Sequence, residues 1–215
     1  AEISQQRRIL GHQRLAAATG ALSSTQAGAL TTTQLAALTV AEIADFTTTQ
    51  LPGFLSTELA ALTTTQLAAL TYTQADGLTL QQLSALTTTQ TDALTPVQLG
   101  TLTTTHLAAL TATQIGALVT TQLSALSATL VGALTTTQIG GLTSTEIGEF
   151  TAAQLTGLTT TEIAAVATTQ LPGFLPSQLA SLTTTQLAAL SVTQVNSLTQ
   201  FQVSELTSTQ MSVLA

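Results

Sequence analysis

The side chains of this sequence that could carry out chemistry are few, and they form no recognised arrangement. His12 and His106 lie far apart, and neither belongs to an H-x-x-H or H-E-x-x-H pattern that would bind zinc. The absence of cysteine excludes disulfides and thiolate metal sites. No serine lies in a G-x-S-x-G motif, and a phosphate-binding G-x-x-x-x-G-K loop cannot exist without lysine. We therefore predict that the protein is not an enzyme and needs no cofactor or metal.

The charged residues are scarce and unevenly distributed. Only 6% of the 215 residues are charged, against about 25% in ordinary domains. The three arginines, Arg7, Arg8 and Arg14, all lie near the N-terminus, and nine of the ten acidic residues lie beyond them. Because phosphate backbones are bound mainly by Lys and Arg, nucleic acid is not an expected partner. No run of 18 apolar residues exists, so no membrane span is expected either.

An eight-residue repeat occupies almost the whole chain. Counting in eights from Leu22 gives 24 complete octads that end at Val213, and Leu214 opens another. Position 1 is apolar in all 24 octads and position 6 in 23, while position 2 is Thr or Ser in 20 and position 5 is Gln or Glu in 22. The exceptions are Thr91 at position 6, Leu55, Val119, Ala167 and Leu175 at position 2, and His106 and Leu130 at position 5.

These four positions agree with one local mechanism. Thr at position 2 and Gln or Glu at position 5 form the S/T-x-x-E/Q capping box, in which each side chain bonds the other residue's backbone N–H. If position 2 is the N-cap, the apolar positions 1 and 6 are the two partners of a hydrophobic staple. Pro96 and Pro176 fall at position 3, the first helical position, which proline favours. Pro52 and Pro172 fall at position 7 before glycine, where a helix should end.

The pattern therefore predicts an all-α repeat, a solenoid or superhelix with one very short helix per octad. Such helices are unstable alone, so neighbouring octads must stack and bury their leucines. Small residues at position 8 would let adjacent turns approach closely. A β-solenoid is the alternative because Thr favours strands, although positions 1 and 6 differ in parity and cannot share one face of a strand. Disorder is a third reading, which the two large apolar residues of every octad disfavour.

Two regions and one longer repeat organise the chain. Residues 1–21 do not fit the octad, and we expect them to form an N-terminal cap or docking segment, whereas residues 22–215 form the solenoid. Residues 46–70 and 166–190 share 19 of 25 residues at an offset of 120, which indicates a block duplication of fifteen octads. If each superhelical turn holds a fixed number of octads, the fifteen octads of the duplicated block could make up a whole number of turns.

Several residues outside the repeating pattern are candidates for contacts with other molecules. Arg7, Arg8 and Arg14 could meet the acidic body of a second copy. Tyr72 and Phe201 occupy variable positions that we expect to be exposed, and Leu214 lies at an end without a polar cap. His106 should replace Gln in the cap, and Glu42, Glu58, Glu146 and Glu162 should cap their helices. The four phenylalanines at position 1 should fill the core.

The runs LTTTQLAAL (30–38, 62–70 and 182–190) and LTATQIGAL (110–118) resemble the L-T-x-x-Q-[IL]-x-A-L repeats of large secreted or surface proteins of bacteria. The resemblance covers residues 22–215 and implies an extracellular rod, stalk, adhesin or fibre role. It implies self-association or contact with a cell surface or matrix, and it carries no catalytic residue. The alternative function is a surface-binding or ice-binding module that uses faces lined by threonine.

Overall fold

The computed structural model describes residues 22–214, which fold as an all-α repeat solenoid with one helical segment in each of the 24 octads. The described residues contain 22 α-helices and two 3₁₀-helices, and no strand lies among them. The predicted fold class is therefore confirmed and the β-solenoid alternative is wrong. The predicted segment 1–21 lies outside the described residues.

The α-helices are four to six residues long, so each is little more than a single turn. In chain order they span Ser24–Ala27, Thr32–Ala36, Val40–Ala44, Ser56–Leu59, Thr64–Ala68, Tyr72–Asp76, Leu80–Ala85, Thr88–Asp92, Pro96–Gly100, Thr104–Ala109, Ala112–Ile115, Thr120–Leu123, Ala128–Val131, Thr136–Gly141, Ser144–Glu149, Ala152–Leu155, Thr160–Ala165, Pro176–Ser181, Thr184–Leu187, Val192–Val195, Gln200–Ser204 and Ser208–Ser212. The 3₁₀-helices span Leu51–Gly53 and Leu171–Gly173.

Each regular helix begins with the predicted capping box. At Thr63 the backbone is extended (φ −71°, ψ 158°), its Oγ1 accepts from the Gln66 N–H at 3.2 Å, and Gln66 Oε1 accepts from the Thr63 N–H at 2.8 Å. The exchange satisfies N–H groups that a helix start otherwise leaves without a partner. Where position 2 has no hydroxyl, as at Leu55, only the second bond remains, here from the Leu55 N–H to Glu58 Oε2 at 2.8 Å.

Proline affects the helix of its octad according to its position, because it has no backbone N–H. Pro96 and Pro176 are the first residues of their helices, as predicted. Pro52 lacks the N–H that would continue an α-helix, and its octad forms only the 3₁₀-helix Leu51–Gly53. The duplicated octad does the same around Leu171–Gly173. The two copies of the duplicated block therefore have the same local structure.

The chain divides into two compact units, Ala1–Gln98 and Leu99–Ala215, and each has its own core. Positions 1 and 6 supply these cores, and the largest fully buried side chains include Leu59 and Leu67 in the first unit and Ile115 and Leu123 in the second. The phenylalanines belong to the core as predicted, with Phe46 and Phe54 in edge-to-face contact at a centroid distance of 5.1 Å. The exceptional Thr91 is also buried, and its hydroxyl donates to the Thr87 carbonyl at 3.0 Å.

Stacked turns in each unit bring together helices three octads apart, such as Ser56–Leu59 with Leu80–Ala85 and Ala112–Ile115 with Thr136–Gly141. Hydrogen bonds between turns join residues 28 and 31 apart in sequence. A turn therefore holds between three and four octads. The idea that the duplicated block spans a whole number of turns stays a prediction.

Glycines at the ends of several helices allow the backbone to approach an adjacent turn closely. They are not left-handed caps, because no residue in 22–214 has a positive φ, and Gly132 ends its helix at φ −71° and ψ −4°. A Cβ on Gly157 would lie 2.0 Å from the Ala128 carbonyl oxygen, so only glycine fits there. The predicted close approach at position 8 is thus confirmed at this site.

Candidate functional site: the junctions between turns

The glutamine at position 5 connects successive turns as well as capping its own helix. Gln66 Nε2 donates to the carbonyl oxygens of Leu35 at 3.1 Å and Leu38 at 2.7 Å, which belong to the preceding turn. The same side chain's Oε1 accepts from the Thr63 N–H. We call such a position-5 side chain, with the position-1 carbonyl 28 residues before it and a second carbonyl 30 or 31 residues before it, a junction.

The junction recurs in both units with little variation. In the second unit Gln138 Nε2 donates to Leu107 at 2.8 Å and to Leu110 at 2.7 Å. Glutamines along the described chain donate to the position-1 carbonyl 28 residues earlier. They include Gln50, Gln66, Gln74, Gln82, Gln90, Gln98, Gln138, Gln154, Gln170, Gln178, Gln186, Gln194, Gln202 and Gln210.

These amides are buried and satisfy a carbonyl that has no other donor. Gln66 and Gln138 are only 3% and 2% exposed. The position-1 carbonyl of Leu38 lies before the helix, and within the described chain only Gln66 donates to it. A buried carbonyl without a partner would cost about 1–3 kcal/mol, so each junction removes a penalty and adds a directional contact between turns.

Some octads have a position-5 side chain that cannot donate. Glu58 and Glu162 are each 8% exposed and cap their helices through one carboxylate oxygen, at 2.8 Å and 2.7 Å. A carboxylate is an acceptor only, and among residues 22–214 no donor reaches the Leu30 and Leu134 carbonyls opposite them. Leu130 is buried at the same position and also has no donor. At these octads the junction is therefore donor-free and has no hydrogen bond from position 5 to the preceding turn, although the helix remains.

His106 fulfils only part of the expected cap. The Thr103 Oγ1 accepts from the His106 N–H at 3.2 Å, as in every regular octad. The helix Thr104–Ala109 lacks the reciprocal bond from the position-5 side chain to the N-cap N–H. The expectation that His106 replaces glutamine in the capping box was therefore wrong for that second bond.

Of the residues predicted for intermolecular contact, the structure describes Tyr72, Phe201 and Leu214. Arg7, Arg8 and Arg14 lie outside the described residues. Tyr72 is 53% exposed at the start of its helix in the first unit, and Phe201 is 71% exposed in the second. Leu214 is half-buried and lies after the last described helix. The exposure of Tyr72 and Phe201 agrees with their variable positions in the octad.

Each unit has a surface depression among those of the described residues. The first, about 320 Å³, is lined by Pro52, Gly53, Phe54, Leu55, Ser56, Thr79, Gln81 and Gln82. The second is shallow and is lined by Thr199, Gln200, Phe201 and Ser204. Neither lining includes a carboxylate or an imidazole. Elsewhere in the described part of the chain, no three His, Asp or Glu side chains lie close enough together to hold one metal ion.

Sequence reasoning found the cap but missed the junction. A signal for it was present, because position 5 is Gln in 18 octads and Glu in only four, although a capping box accepts either residue. The two differ in the amide donor, which glutamine has and glutamate lacks. This bias indicates that a donor is needed at position 5, and the structure identifies its acceptors.

No family model matches this chain, and no curated protein is significantly similar to it. None of the helices in residues 22–214 has the length and apolar content needed to cross a membrane.

Proposed function

We propose that this chain is an extracellular structural repeat protein that acts as a rod, stalk or fibre subunit, of the kind an adhesin uses as a spacer. One observation carries the proposal: every repeated side chain of the octad already serves folding. Position 2 caps the helix, positions 1 and 6 form the core, and position 5 joins the turns. A solenoid with its recurring positions used in this way can be lengthened by adding octads.

The forces that hold the turns together suit a spacer exposed to changing salt. Amide–carbonyl bonds and apolar contacts form the junctions, and residues 22–214 contain no Lys or Arg to form ion pairs with their acidic residues. Hydrogen bonds between neutral groups and buried apolar contacts are screened little by salt. The resemblance to secreted and surface repeats of bacteria supports the extracellular setting.

The shape of the single molecule tests this proposal. Small-angle X-ray scattering at low protein concentration should give an elongated particle whose length stays constant from low salt to about 1 M. A compact particle, or a length that changes strongly with salt, would contradict a spacer role. Antibody labelling of intact source cells tests the extracellular setting, and labelling only after lysis would contradict it.

The exposed threonines favour a second candidate, a surface-binding or ice-binding module. Position-2 hydroxyls are engaged in caps, but positions 3 and 4 present exposed pairs such as Thr32 with Thr33 and Thr136 with Thr137. A regular array of methyl and hydroxyl groups could order water at an ice surface. Thermal hysteresis of the full chain tests this candidate, and freezing behaviour equal to that of an inert protein would exclude ice binding.

A further inference from the structure

The depression of the first unit lies where proline has changed the repeat. Pro52 stands in a 3₁₀-helix, and the next octad has Leu55 at position 2 in place of Thr or Ser. The other wall is the start of the helix Leu80–Ala85. Described octads precede and follow both walls, so the depression is not an end of the described chain. We call it the Leu55 depression, lined by residues 52–56, Thr79, Gln81 and Gln82.

Leu55 serves the fold less well than the residue it replaces. In a regular octad the position-2 hydroxyl accepts from the position-5 N–H, as Thr63 Oγ1 does from Gln66 at 3.2 Å. Leu55 makes no such bond, and its side chain is 61% exposed. Loss of a hydroxyl cap lowers stability, and an exposed leucine buries little apolar surface in return. A residue that breaks the local pattern without a gain for folding is a candidate for binding.

Three polar side chains of the Leu55 depression keep unused hydrogen-bonding capacity. Gln81 is exposed, and within residues 22–214 neither its amide nor the Ser56 hydroxyl forms a hydrogen bond. The Thr79 Oγ1 accepts from the Gln82 N–H at 3.2 Å and keeps its own proton to donate. Gln82 fixes this wall to the other, since its Nε2 donates to the Phe54 carbonyl at 2.8 Å. The depression therefore offers an amide and two hydroxyl groups at fixed places.

The lining of the Leu55 depression favours a neutral ligand. It contains no charged side chain, and residues 22–214 contain no Lys or Arg that could bind an anion. The neighbouring Glu58 is 8% exposed, and its carboxylate accepts from the Leu55 N–H at 2.8 Å. The volume of about 320 Å³ lies at the lower end for ligand sites. The ligand should therefore be small and uncharged, with an apolar group beside several hydrogen-bonding groups.

We propose that the Leu55 depression binds one N-acetylated sugar residue of a neutral oligosaccharide. The Gln81 amide carries a donor and an acceptor, which match the carbonyl and the N–H of an acetamido group. The acetamido methyl packs on Pro52 and Leu55, and the Ser56 and Thr79 hydroxyls bond sugar hydroxyls. The site adds a ligand to the proposed spacer and does not depend on that role.

The duplicated block supplies an internal comparison. Its second copy keeps an exposed leucine, Leu175, which is 53% exposed and also forms no side-chain cap bond. Pro176 and Phe201 stand there in place of Ser56 and Gln81. The second copy has therefore lost an amide and a hydroxyl of the site, and we expect one bound sugar per chain.

A matched pair of sugars tests the ligand class. Triacetylchitotriose and cellotriose share one backbone and differ in the acetamido group. Calorimetric titration of the full chain should give one site for triacetylchitotriose with a Kd of about 1 mM or lower, and at least about tenfold weaker binding of cellotriose. In saturation-transfer NMR the acetamido methyl should receive the strongest saturation.

Two variants test the residues of the site. Leu55→Thr restores the position-2 hydroxyl, so it should raise the thermal unfolding midpoint and yet weaken triacetylchitotriose at least about tenfold. Gln81→Ala changes an exposed side chain and should weaken binding similarly. The control Val119→Thr makes the same kind of change at an exposed position 2 of the second unit and should bind like the wild type.

Several results would overturn the site. They are no binding of triacetylchitotriose, equal affinity for cellotriose, unchanged affinity in either site variant, or equal weakening in the control. A neutral hexapeptide of alanine and serine that binds more tightly than the sugar would identify a peptide site instead. The scattering test of the spacer is independent, so an elongated monomer that binds no sugar would refute this site alone.

Discussion

Two neighbouring junctions of the first unit separate the two roles of position 5. At Gln66 the side-chain oxygen caps the helix and the nitrogen reaches the Leu35 and Leu38 carbonyls of the preceding turn. At Glu58 the carboxylate caps its helix in the same way, but no donor in the described chain reaches the Leu30 carbonyl. Both octads form a helix and bury position 6 completely. The comparison shows that the cap starts the helix, whereas the amide connects the helix to the preceding turn.

The largest expected effect is common to both junctions. Leu59 and Leu67 follow Glu58 and Gln66 and are fully buried, so Leu59→Ala and Leu67→Ala should each lower the free energy of unfolding by about 2–5 kcal/mol. Urea denaturation followed by circular dichroism measures both. If the two losses of unfolding free energy differ widely, the contribution of the buried position-6 side chain would depend on the hydrogen bond between turns. The separation of the two roles of position 5 would then be wrong.

The close approach of backbones is tested by a matched pair of glycines in the second unit. Gly157→Ala would place a Cβ 2.0 Å from the Ala128 oxygen and should cost roughly 1–3 kcal/mol or more through a forced shift of the turns. Gly140 has no atom within 4 Å of such a Cβ, and in the helix Thr136–Gly141 its replacement by alanine should stabilise by about 0.5–1 kcal/mol.

The thermal unfolding midpoints of the Gly157→Ala and Gly140→Ala variants should therefore move in opposite directions. Equal midpoints would show that the turns can separate without cost. In that case the amides at the junctions, rather than the backbone approach, would set the distance between turns.

The next largest effect is expected when the Gln66 junction is converted into a donor-free junction like that of Glu58. Gln66→Glu keeps an acceptor for the Thr63 N–H but leaves the Leu38 carbonyl without a donor, and it should cost about 1–3 kcal/mol in urea denaturation. The control is Gln26→Glu, whose amide donates to no described residue and whose side chain is exposed. If both variants lose the same stability, the role assigned to the Gln66 nitrogen is wrong.

The smallest expected effect is the repair of the donor-free junctions. Glu58→Gln and Glu162→Gln supply an amide opposite the Leu30 and Leu134 carbonyls, and each should stabilise by about 0.5–1.5 kcal/mol. Glu205→Gln removes the same charge at an exposed position and should change stability by less than about 0.5 kcal/mol. If Glu205→Gln raises the stability as much as the other two variants do, the cause is the change in net charge and not the added amide.

Local features of this fold were predictable because they depend on residues close in sequence. The capping box joins positions three residues apart, as between Thr63 and Gln66, and the first-turn place of Pro96 follows from the missing N–H of proline. The exposure of Tyr72 follows from its variable position. At His106 the structure shows only the backbone half of the expected cap, the bond from its N–H to the Thr103 hydroxyl.

The sequence by itself determined that each octad forms one short helix, which residues it buries and where proline interrupts it. These properties arise within eight residues, from caps, staples and apolar spacing. Only the tertiary structure decided that a turn takes between three and four octads, that Gly157 lies against Ala128, and that Gln66 bonds Leu35 and Leu38. Each of these depends on residues about 25–31 apart, so it is set only when one turn packs on another.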